Sequence, residues 1–261
     1  MKLSIITVCF NNIEGLKRTY NSIKGQTARD KFEWIVIDGA STDSTPEWLQ
    51  EHESEIDKWI SEPDNGIYNA MNKGVRIASG DYMLFLNSGD ELKDSKTIAN
   101  CLIYFNGNID FLYGDEIHFN PATNESVKPW LPKQFKPSDF IYHTLLHQST
   151  FIKRNERSFY REDVGYLADW VFFMEGVIKY GATVKRIPET VSIFHLDGVS
   201  TKKSNSWDED RKKVFCELLS EPLYDDLKQL YEIRRLPFFN GIKKAAKARK
   251  SFGKVKRMFH K

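Results

Sequence analysis

The sequence lacks the long apolar run of a membrane-spanning helix. Such a helix needs about 18 or more consecutive apolar residues, and no such run occurs among the 261 residues. The first eight residues form a strand-like run that is too short for the apolar part of a secretory signal peptide. There are only three cysteines, Cys9, Cys101 and Cys216, and they lie far apart. This predicts no zinc or disulfide framework and favours reduced thiols in the cytoplasm.

The sequence also lacks the glycine-rich loops that often hold phosphate groups. Neither GxGxxG nor GxxxxGK[ST] is present, which argues against dehydrogenases and P-loop enzymes. With 15 Gly and 9 Pro, the composition excludes a collagen-like or wholly disordered chain. The length and the hydrophobic share of 41% suit one large α/β domain or two small ones.

The charge is unevenly distributed, although the chain as a whole carries only +2. Residues 243–261 contain nine Lys or Arg and no acid, so residues 1–242 carry 2 − 9 = −7. Apolar and basic residues are interleaved over 238–261. This pattern predicts an interfacial amphipathic helix on an anionic membrane surface. Nucleic acid is an alternative partner, and a solvated helix without a partner is another.

Strand and helix signals alternate along the first hundred residues. Predicted strands cover 3–10, 32–37, 59–60 and 82–86, and predicted helices cover 16–23, a segment from about 44, and 67–78. This alternation predicts a mostly parallel, Rossmann-like central sheet flanked by helices. In the second half, segments 111–113 and 116–119 are predicted to pair around Gly114, and 121–139 is predicted to be a long loop. Further strands are predicted at 149–152 and 183–187, and helices at 169–180, 208–220 and 223–234.

Polar side chains follow the predicted parallel strands. They include Asn11, Asp38, Asp64 and the segment 87–90. Ligands of open α/β sheets bind beyond the carboxyl ends of the strands, so these loops are expected to form one site. Asp90 in this position suits a divalent cation that bridges a diphosphate. The alternative is a polar turn ahead of the next helix.

Four segments, 4–11, 35–43, 62–74 and 85–90, occur in an order that resembles the family 2 glycosyltransferases. The most similar members are those that assemble bacterial polysaccharides. The resemblance is dense over 1–91 and reappears over 147–201. It implies a GT-A fold with a C-terminal helical extension. It also implies a nucleotide-sugar-binding half at 1–100, an acceptor-binding half at 101–205 and C-terminal helices with the basic tail at 206–261.

The resemblance implies donor-binding roles for nine positions. Phe10 matches the aromatic residue that lies against the nucleotide base, with core packing as the alternative. Asp38 matches a carboxylate that binds base or ribose, with an Asx-turn as the alternative. Lys73 matches a residue that reaches a phosphate, with an ordinary solvated lysine as the alternative. The full set of donor-binding predictions is Val8, Phe10, Asn11, Asp38, Asp64, Lys73, Asn87, Ser88 and Gly89.

The resemblance also implies a metal, a base and an acceptor site. Asp90 and His195 are expected to hold Mn or Mg, although Asn87 replaces the first acid of the usual DxD motif. Asp169 matches the catalytic base, with a helix cap as the alternative. His147 and Trp170 are expected at the acceptor, with buried core positions as the alternative. Residues 198–203 are expected to form a mobile lid.

The predicted function is inverting transfer of a sugar from a nucleoside diphosphate donor, a UDP-sugar as first choice, to a hydroxyl of a glycan or lipid-linked acceptor. Surface polysaccharide synthesis at the inner face of the bacterial membrane is the expected setting, and no nucleic acid is expected. Two alternatives belong to other classes. One is a nucleotidyltransferase, which the missing glycine-rich loop disfavours, and the other is a non-catalytic nucleotide-sugar-binding protein.

Overall fold

A computed structural model describes residues 2–196 and 207–236. The chain divides into two compact units, one of residues 1–135 and 144–205 and the other of residues 136–143 and 206–261. The expected lid at 198–203 and the expected membrane helix at 238–261 lie outside the described residues. The division at 100/101 and 205/206 stays a prediction.

The first unit is built on one sheet. Its described strands are β1 (Leu3–Cys9), β2 (Phe32–Asp38), β3 (Lys58–Ser61), β4 (Tyr82–Phe85), β5 (Glu91–Leu92), β6 (Phe111–Asn120), β7 (Glu125–Val127), β8 (Thr150–Lys153) and β9 (Val184–His195). They lie in the order β3-β2-β1-β4-β8-β6-β9-β5, and β7 pairs with β6. The first four strands are parallel, as expected. The others form a mixed arrangement, in which β8 runs antiparallel to both β4 and β6.

The core follows from the composition of the central strands. Every residue of β1, β2 and β4 is buried, as expected for strands whose two faces are both covered by helices. The described helices of this unit are α1 (Ile13–Lys24), α2 (Thr45–Glu51), α3 (Ile67–Ile77), α4 (Thr97–Leu102) and α5 (Ala168–Met174). A π-helical turn, Glu175–Lys179, continues α5, so the predicted helix at 169–180 changes type within its length.

The predicted pairing of 111–113 with 116–119 is wrong. Both segments belong to the continuous strand β6, which runs parallel to β9. Gly114 does not make a turn. A Cβ built on it would lie 2.6 Å from the carbonyl oxygen of Glu189, so this glycine permits close approach of β9 at a bulge.

Two further predictions in this region were incomplete. The segment 121–139 is not all loop, because β7 folds back on β6 after Asn124, whose φ is +56°. The strand predicted at 183–187 continues to His195. Pro188 does not end it, because residues 187–189 fall at the bulge between β9 and β6, where proline is tolerated. The short strand β5 was not predicted, whereas α4 is the helix expected after the 87–90 turn.

The second unit contains the two predicted C-terminal helices, α6 (Trp207–Leu218) and α7 (Glu221–Arg235). Ser220 caps α7 by accepting the N–H of Leu223. Within this unit α7 is joined to the 136–143 segment by Arg234, which pairs with Asp139 at 3.1 Å. Among the described residues, no helix combines the length and apolar character needed to cross a membrane.

Candidate functional site

Three loops at the carboxyl ends of the parallel strands meet around Gly39. A Cβ built on Gly39 would lie 2.4 Å from Oδ2 of Asp64 and 3.2 Å from Cδ2 of Phe10. Only glycine leaves room for both neighbours. The Phe10 ring is 63% exposed, which removes core packing as an explanation for it. Oδ1 of Asp64 accepts the N–H of Gly66 at 2.9 Å, so the structure brings two predicted donor-binding side chains together.

Asp38 lies at the end of β2, as predicted, but its surroundings differ from those expected. It is fully buried, and its carboxylate accepts hydrogen bonds from the Ser41 backbone at 3.1 Å and the Ser61 hydroxyl at 2.6 Å. Its donors therefore come from the protein, and the predicted contact with a nucleotide is not supported. The turn alternative fits better. Asn11 remains exposed, and its amide oxygen accepts the N–H of Thr42 at 2.7 Å.

Lys73 also departs from its predicted role. Its ammonium group donates to the Pro63 carbonyl at 2.6 Å and pairs with Glu62 at 3.0 Å. The side chain is only 13% exposed. Lys73 therefore holds the segment that leads into Asp64, and the structure does not support a direct phosphate contact.

The loop of residues 87–90 is fixed to β1 and α1 by its backbone. Ser88 N–H donates to the Val8 carbonyl at 3.0 Å, and Gly89 N–H donates to the Thr19 hydroxyl at 3.0 Å. Gly89 has a φ of +107°, a conformation that favours glycine. Three predicted donor-binding residues, Val8, Ser88 and Gly89, thus lie close together at this loop.

Asp90 and His195 do not form a ready-made metal cluster. Asp90 is 5% exposed, and the His195 ring pairs through Nε2 with Glu91 at 2.6 Å. Glu91 was not singled out in the sequence, although it adjoins Asp90 in the chain. Over residues 2–196 and 207–236, no group of three or more His, Cys, Asp or Glu side chains is placed to hold a metal ion.

A line of three side chains joins the 87–90 loop to the predicted base. Asn87 Nδ2 lies 3.3 Å from His147 Nε2, and His147 Nδ1 lies 3.8 Å from Oδ2 of Asp169. The side chains of His147 and Asp169 are 12% and 21% exposed. His147 belongs to a 3₁₀ turn that leads into β8, and Asp169 to the first turn of α5. The structure therefore brings a predicted donor residue, acceptor residue and base together.

Two tyrosines border the predicted base, and neither was singled out in the sequence. Burial raises the pKa of Tyr68, and the negative charge of Asp169 raises it further. Burial and the Asp169 charge likewise raise the pKa of Tyr160. Both phenols thus stay protonated beside the carboxylate. The sequence could have indicated Tyr68, because this residue lies within the 62–74 segment that carries the resemblance.

Trp170 is 1% exposed and belongs to the core. A ring with no exposed face cannot stack on a sugar, so the predicted acceptor contact is not supported for Trp170. Tyr166, four residues earlier, is 43% exposed and accepts through its carbonyl from the Tyr68 hydroxyl at 3.5 Å.

Some of the predicted site residues carry buried polar atoms that lack a hydrogen-bond partner. In the described part of the chain they include Asn87 Oδ1, His147 Nδ1 and His195 Nδ1, all buried and without a hydrogen-bond partner. Each such atom costs roughly 1–3 kcal/mol, and native proteins keep few of them. Asn87 Oδ1 and His195 Nδ1 are therefore suited to meeting groups of a ligand, whereas His147 Nδ1 faces the Asp169 carboxylate at 3.8 Å.

Residues 4–164 match the profile of the family described as Glycosyl transferase family 2. The chain is 41% identical over 105 residues to an uncharacterized glycosyltransferase of Mycobacterium tuberculosis, over 40% of each chain. It is 34% identical over 119 residues to a PGL/p-HBAD biosynthesis glycosyltransferase of Mycobacterium bovis, covering 44% of this chain and 46% of that protein. The alignments thus span less than half the length of these curated relatives.

Solved structures resemble the described fold. TarS residues 1–349 of S. aureus, in complex with UDP-GlcNAc, superpose with a TM-score of 0.68 at 15% identity, covering 92% of this chain and 75% of that one. A mannosyltransferase from Pyrobaculum calidifontis, in complex with GDP-Man and Mn²⁺, gives 0.57 at 16% identity, covering 95% and 79%. At such identities the likeness concerns the fold, and it confirms the expected GT-A α/β architecture.

Proposed function

Because the chain belongs to glycosyl transferase family 2, we propose that it transfers one sugar from a nucleoside diphosphate donor to a hydroxyl group with inversion. A UDP-sugar is the first-choice donor, supported by the UDP-GlcNAc bound in the TarS complex. The proposed acceptor is a glycan or a lipid-linked saccharide in bacterial surface polysaccharide synthesis. Relatives named for PGL and teichuronic acid biosynthesis support that class.

One observation carries this proposal: Asp169 lies near the 87–90 loop, and His147 contacts both of them. In the proposed step the acceptor oxygen attacks the anomeric carbon while the bond to the diphosphate breaks. Asp169 takes the hydroxyl proton as the new C–O bond forms. A carboxylate is basic enough, because the hydroxyl becomes strongly acidic late in the step.

The chemistry of the side chains at this loop supports a proposed divalent ion. Asn87 Oδ1 is buried and has no partner, and the Asp90 carboxylate belongs to the same loop. Amide and carboxylate oxygens suit Mg²⁺ or Mn²⁺. Mg²⁺ commonly uses one or two carboxylates and completes its shell with substrate phosphates and water, so a full protein cage is not required. His195 Nδ1, also without a partner, is the proposed third ligand. A bound ion would neutralise charge on the departing diphosphate.

The base is tested with Asp169→Asn. We expect donor hydrolysis and sugar transfer to fall by about 100-fold or more, the usual range for loss of a general base. Binding of UDP with Mn²⁺, measured by calorimetry, should stay unchanged. Asp163→Asn is the matched control, because Asp163 is an exposed carboxylate on the same segment that pairs with Arg161. A wild-type rate in Asp169→Asn would remove Asp169 as the base.

The donor class is tested by thermal stabilisation with a panel of sugar nucleotides and Mn²⁺. A ligand that binds only the native state raises its melting temperature by mass action. We expect at least one UDP-sugar to do so and then to be hydrolysed slowly. If no nucleoside diphosphate sugar stabilises the protein, the proposed donor class is wrong.

A further inference from the structure

The His147 ring makes two different contacts through its two nitrogens. Nε2 faces the Asn87 amide nitrogen at 3.3 Å, and Nδ1 faces the Asp169 carboxylate at 3.8 Å. The ring is nearly buried, at 12% exposed, so water does not dominate its surroundings. The position of its single proton in the neutral ring therefore depends on these two neighbours.

The Asp169 carboxylate decides which nitrogen carries the proton. An ionised carboxylate only accepts hydrogen bonds, so a bare lone pair on Nδ1 would repel it. A proton on Nδ1 instead points a positive hydrogen at the negative oxygen. Nε2 is then left as an acceptor, and the Asn87 amide meets it with its NH₂ group. Both contacts therefore favour the tautomer of His147 that carries its proton on Nδ1.

The same geometry argues against His147 as the base. A neutral imidazole accepts a proton through its bare nitrogen, which here is Nε2. That nitrogen faces the Asn87 amide on the 87–90 loop and is occupied. Asp169 turns Oδ2 towards the ring, its Oδ1 accepts the N–H of Trp170 at 2.6 Å, and its side chain is 21% exposed. Of the pair, the carboxylate is the more exposed group.

We propose that His147 is a positioning residue that orients the Asp169 carboxylate, and that the amide of Asn87 fixes His147 in the Nδ1-protonated tautomer. The orienting role rests on the proposed function of Asp169, whereas the tautomer does not. The pair also explains why an amide, and not an acid, stands at position 87. A carboxylate there would favour a second proton on Nε2 and so a charged ring beside Asp169.

The first test is the isosteric change Asn87→Asp, which restores the acid of the DxD pattern. If the acid at this position only served a metal, the variant should be as active as the wild type or better. We expect the reverse: the new carboxylate holds a second proton on Nε2, the ring beside Asp169 becomes a cation that makes Asp169 a weaker base, and turnover falls by about 10-fold or more. Equal or higher turnover in Asn87→Asp would overturn the proposal.

The tautomer is read directly by ¹⁵N NMR of protein labelled at its histidines. The nitrogen shifts and two-bond couplings of Nδ1–H and Nε2–H rings differ, and the loss of one set in His147→Gln assigns His147. We expect a proton on Nδ1 alone in the wild type and protons on both nitrogens in Asn87→Asp. A wild-type ring protonated at Nε2, or no change in Asn87→Asp, would overturn the proposal. This measurement needs neither donor nor acceptor.

Positioning is separated from packing by two variants of His147. Glutamine offers an oxygen towards Asn87 and an NH₂ towards Asp169, whereas leucine fills the space without either contact. We expect His147→Gln to keep most of kcat and His147→Leu to lose about 100-fold, as small misplacements of a catalytic group can cost. The KM for the donor and the affinity for UDP with Mn²⁺ should stay unchanged in both variants.

His52→Gln is the control for loss of a histidine, because His52 stacks on Trp48. Equal kcat in His147→Gln and His147→Leu would overturn the positioning role. Failure of the proposed base is seen separately in Asp169→Asn. A normal rate there overturns Asp169 as the base, and with it the orienting role of His147, while the tautomer measured by NMR is unaffected.

Discussion

Among single residues, Phe10 is the most exposed large side chain at the candidate site, at 63%. Its ring lies beside Gly39 and Asp64 and is available to stack on a nucleotide base. Stacking of a base on an aromatic ring contributes roughly 1–3 kcal/mol. We therefore expect Phe10→Ala to weaken UDP binding by about 10-fold or more in calorimetry with Mn²⁺.

The unfolding free energy of Phe10→Ala should change little, because the ring buries little area. Tyr180→Ala is the control, since Tyr180 is an exposed aromatic residue on another segment, 46% accessible. Its removal should leave UDP binding unchanged. Undiminished UDP affinity in Phe10→Ala would show that the base binds elsewhere.

At this scale the sequence predicted positions better than roles. Phe10, Asp64 and Asn87 lie at the edge where strand ends were expected to converge. The sequence singled out Asp38, Lys73 and Trp170, but it could not predict how far these side chains are buried. Their burial depends on partners distant in sequence. The hydroxyl of Ser61, for example, lies 23 residues from the Asp38 carboxylate that it binds. No local pattern reveals such a partner.

Among the elements, β1, β2 and the end of α3 are joined by one buried carboxylate. Glu33 on β2 accepts from the Ser4 hydroxyl at 2.6 Å and pairs with Lys58 at 3.0 Å. It also accepts from Ser79, just after α3. Burial raises the pKa of the Glu33 carboxyl, but the hydrogen bonds from Ser4, Ser79 and Lys58 outweigh it and lower the pKa to about 2.

This pKa makes the stability contribution of Glu33 dependent on pH. Because the folded-state pKa lies below the ordinary value of 4.5, the stabilisation is complete above about pH 4.5 and is lost as the pH falls towards 2. The shift corresponds to about 3 kcal/mol at neutral pH. We expect Glu33→Gln to lower the unfolding free energy by that order at pH 7, measured in urea.

The difference between wild type and Glu33→Gln should shrink as the pH falls from 4.5 towards 3. Glu53→Gln, which alters an exposed carboxylate, is the control. Its unfolding free energy should differ little from that of the wild type at any pH in this range. A difference that stays constant with pH would mean that Glu33 contributes by packing and not by its charge.

The elements also show where periodicity is informative. The continuous apolar runs of β1, β2 and β4 predicted buried parallel strands correctly. A strand that is apolar on both faces needs cover on both faces, as parallel sheets provide. Gly114 and Pro188 looked like breaks in sequence but lie inside long strands. Both sit where β6 and β9 shift register. A bulge is a property of two strands together, so neither strand alone predicts it.

At the scale of the whole molecule, the order of the strands was predictable only for the parallel half. There α1 and α2 each lead to a neighbouring parallel strand, and α3 carries the chain from β3 at the edge to β4 on the other side of β1. Crossover rules limit such connections. In the second half β8 lies between β4 and β6, and β5 lies at the far edge beside β9. These placements depend on long-range packing, and the Asn87–His147–Asp169 line depends on them in turn.

The charge distribution of the whole chain leads to the last prediction, which concerns the membrane. Nine basic residues in 243–261 follow a body of net charge −7. Each Lys or Arg near an anionic surface contributes about 1 kcal/mol, and salt screens the attraction. We expect the full chain to sediment with vesicles containing anionic lipid at low salt and to be released at about 0.5 M salt.

Neutral vesicles are the first control, and replacing the basic residues of 243–257 by glutamine is the second. Both should abolish sedimentation, because the attraction requires charge on each partner. Donor hydrolysis by the glutamine variant should match the wild type, since the candidate site lies on the 1–205 segment. Retained vesicle binding in that variant would assign the membrane contact to another surface. Binding to RNA with a higher affinity than to anionic vesicles would instead favour nucleic acid as the partner of the tail.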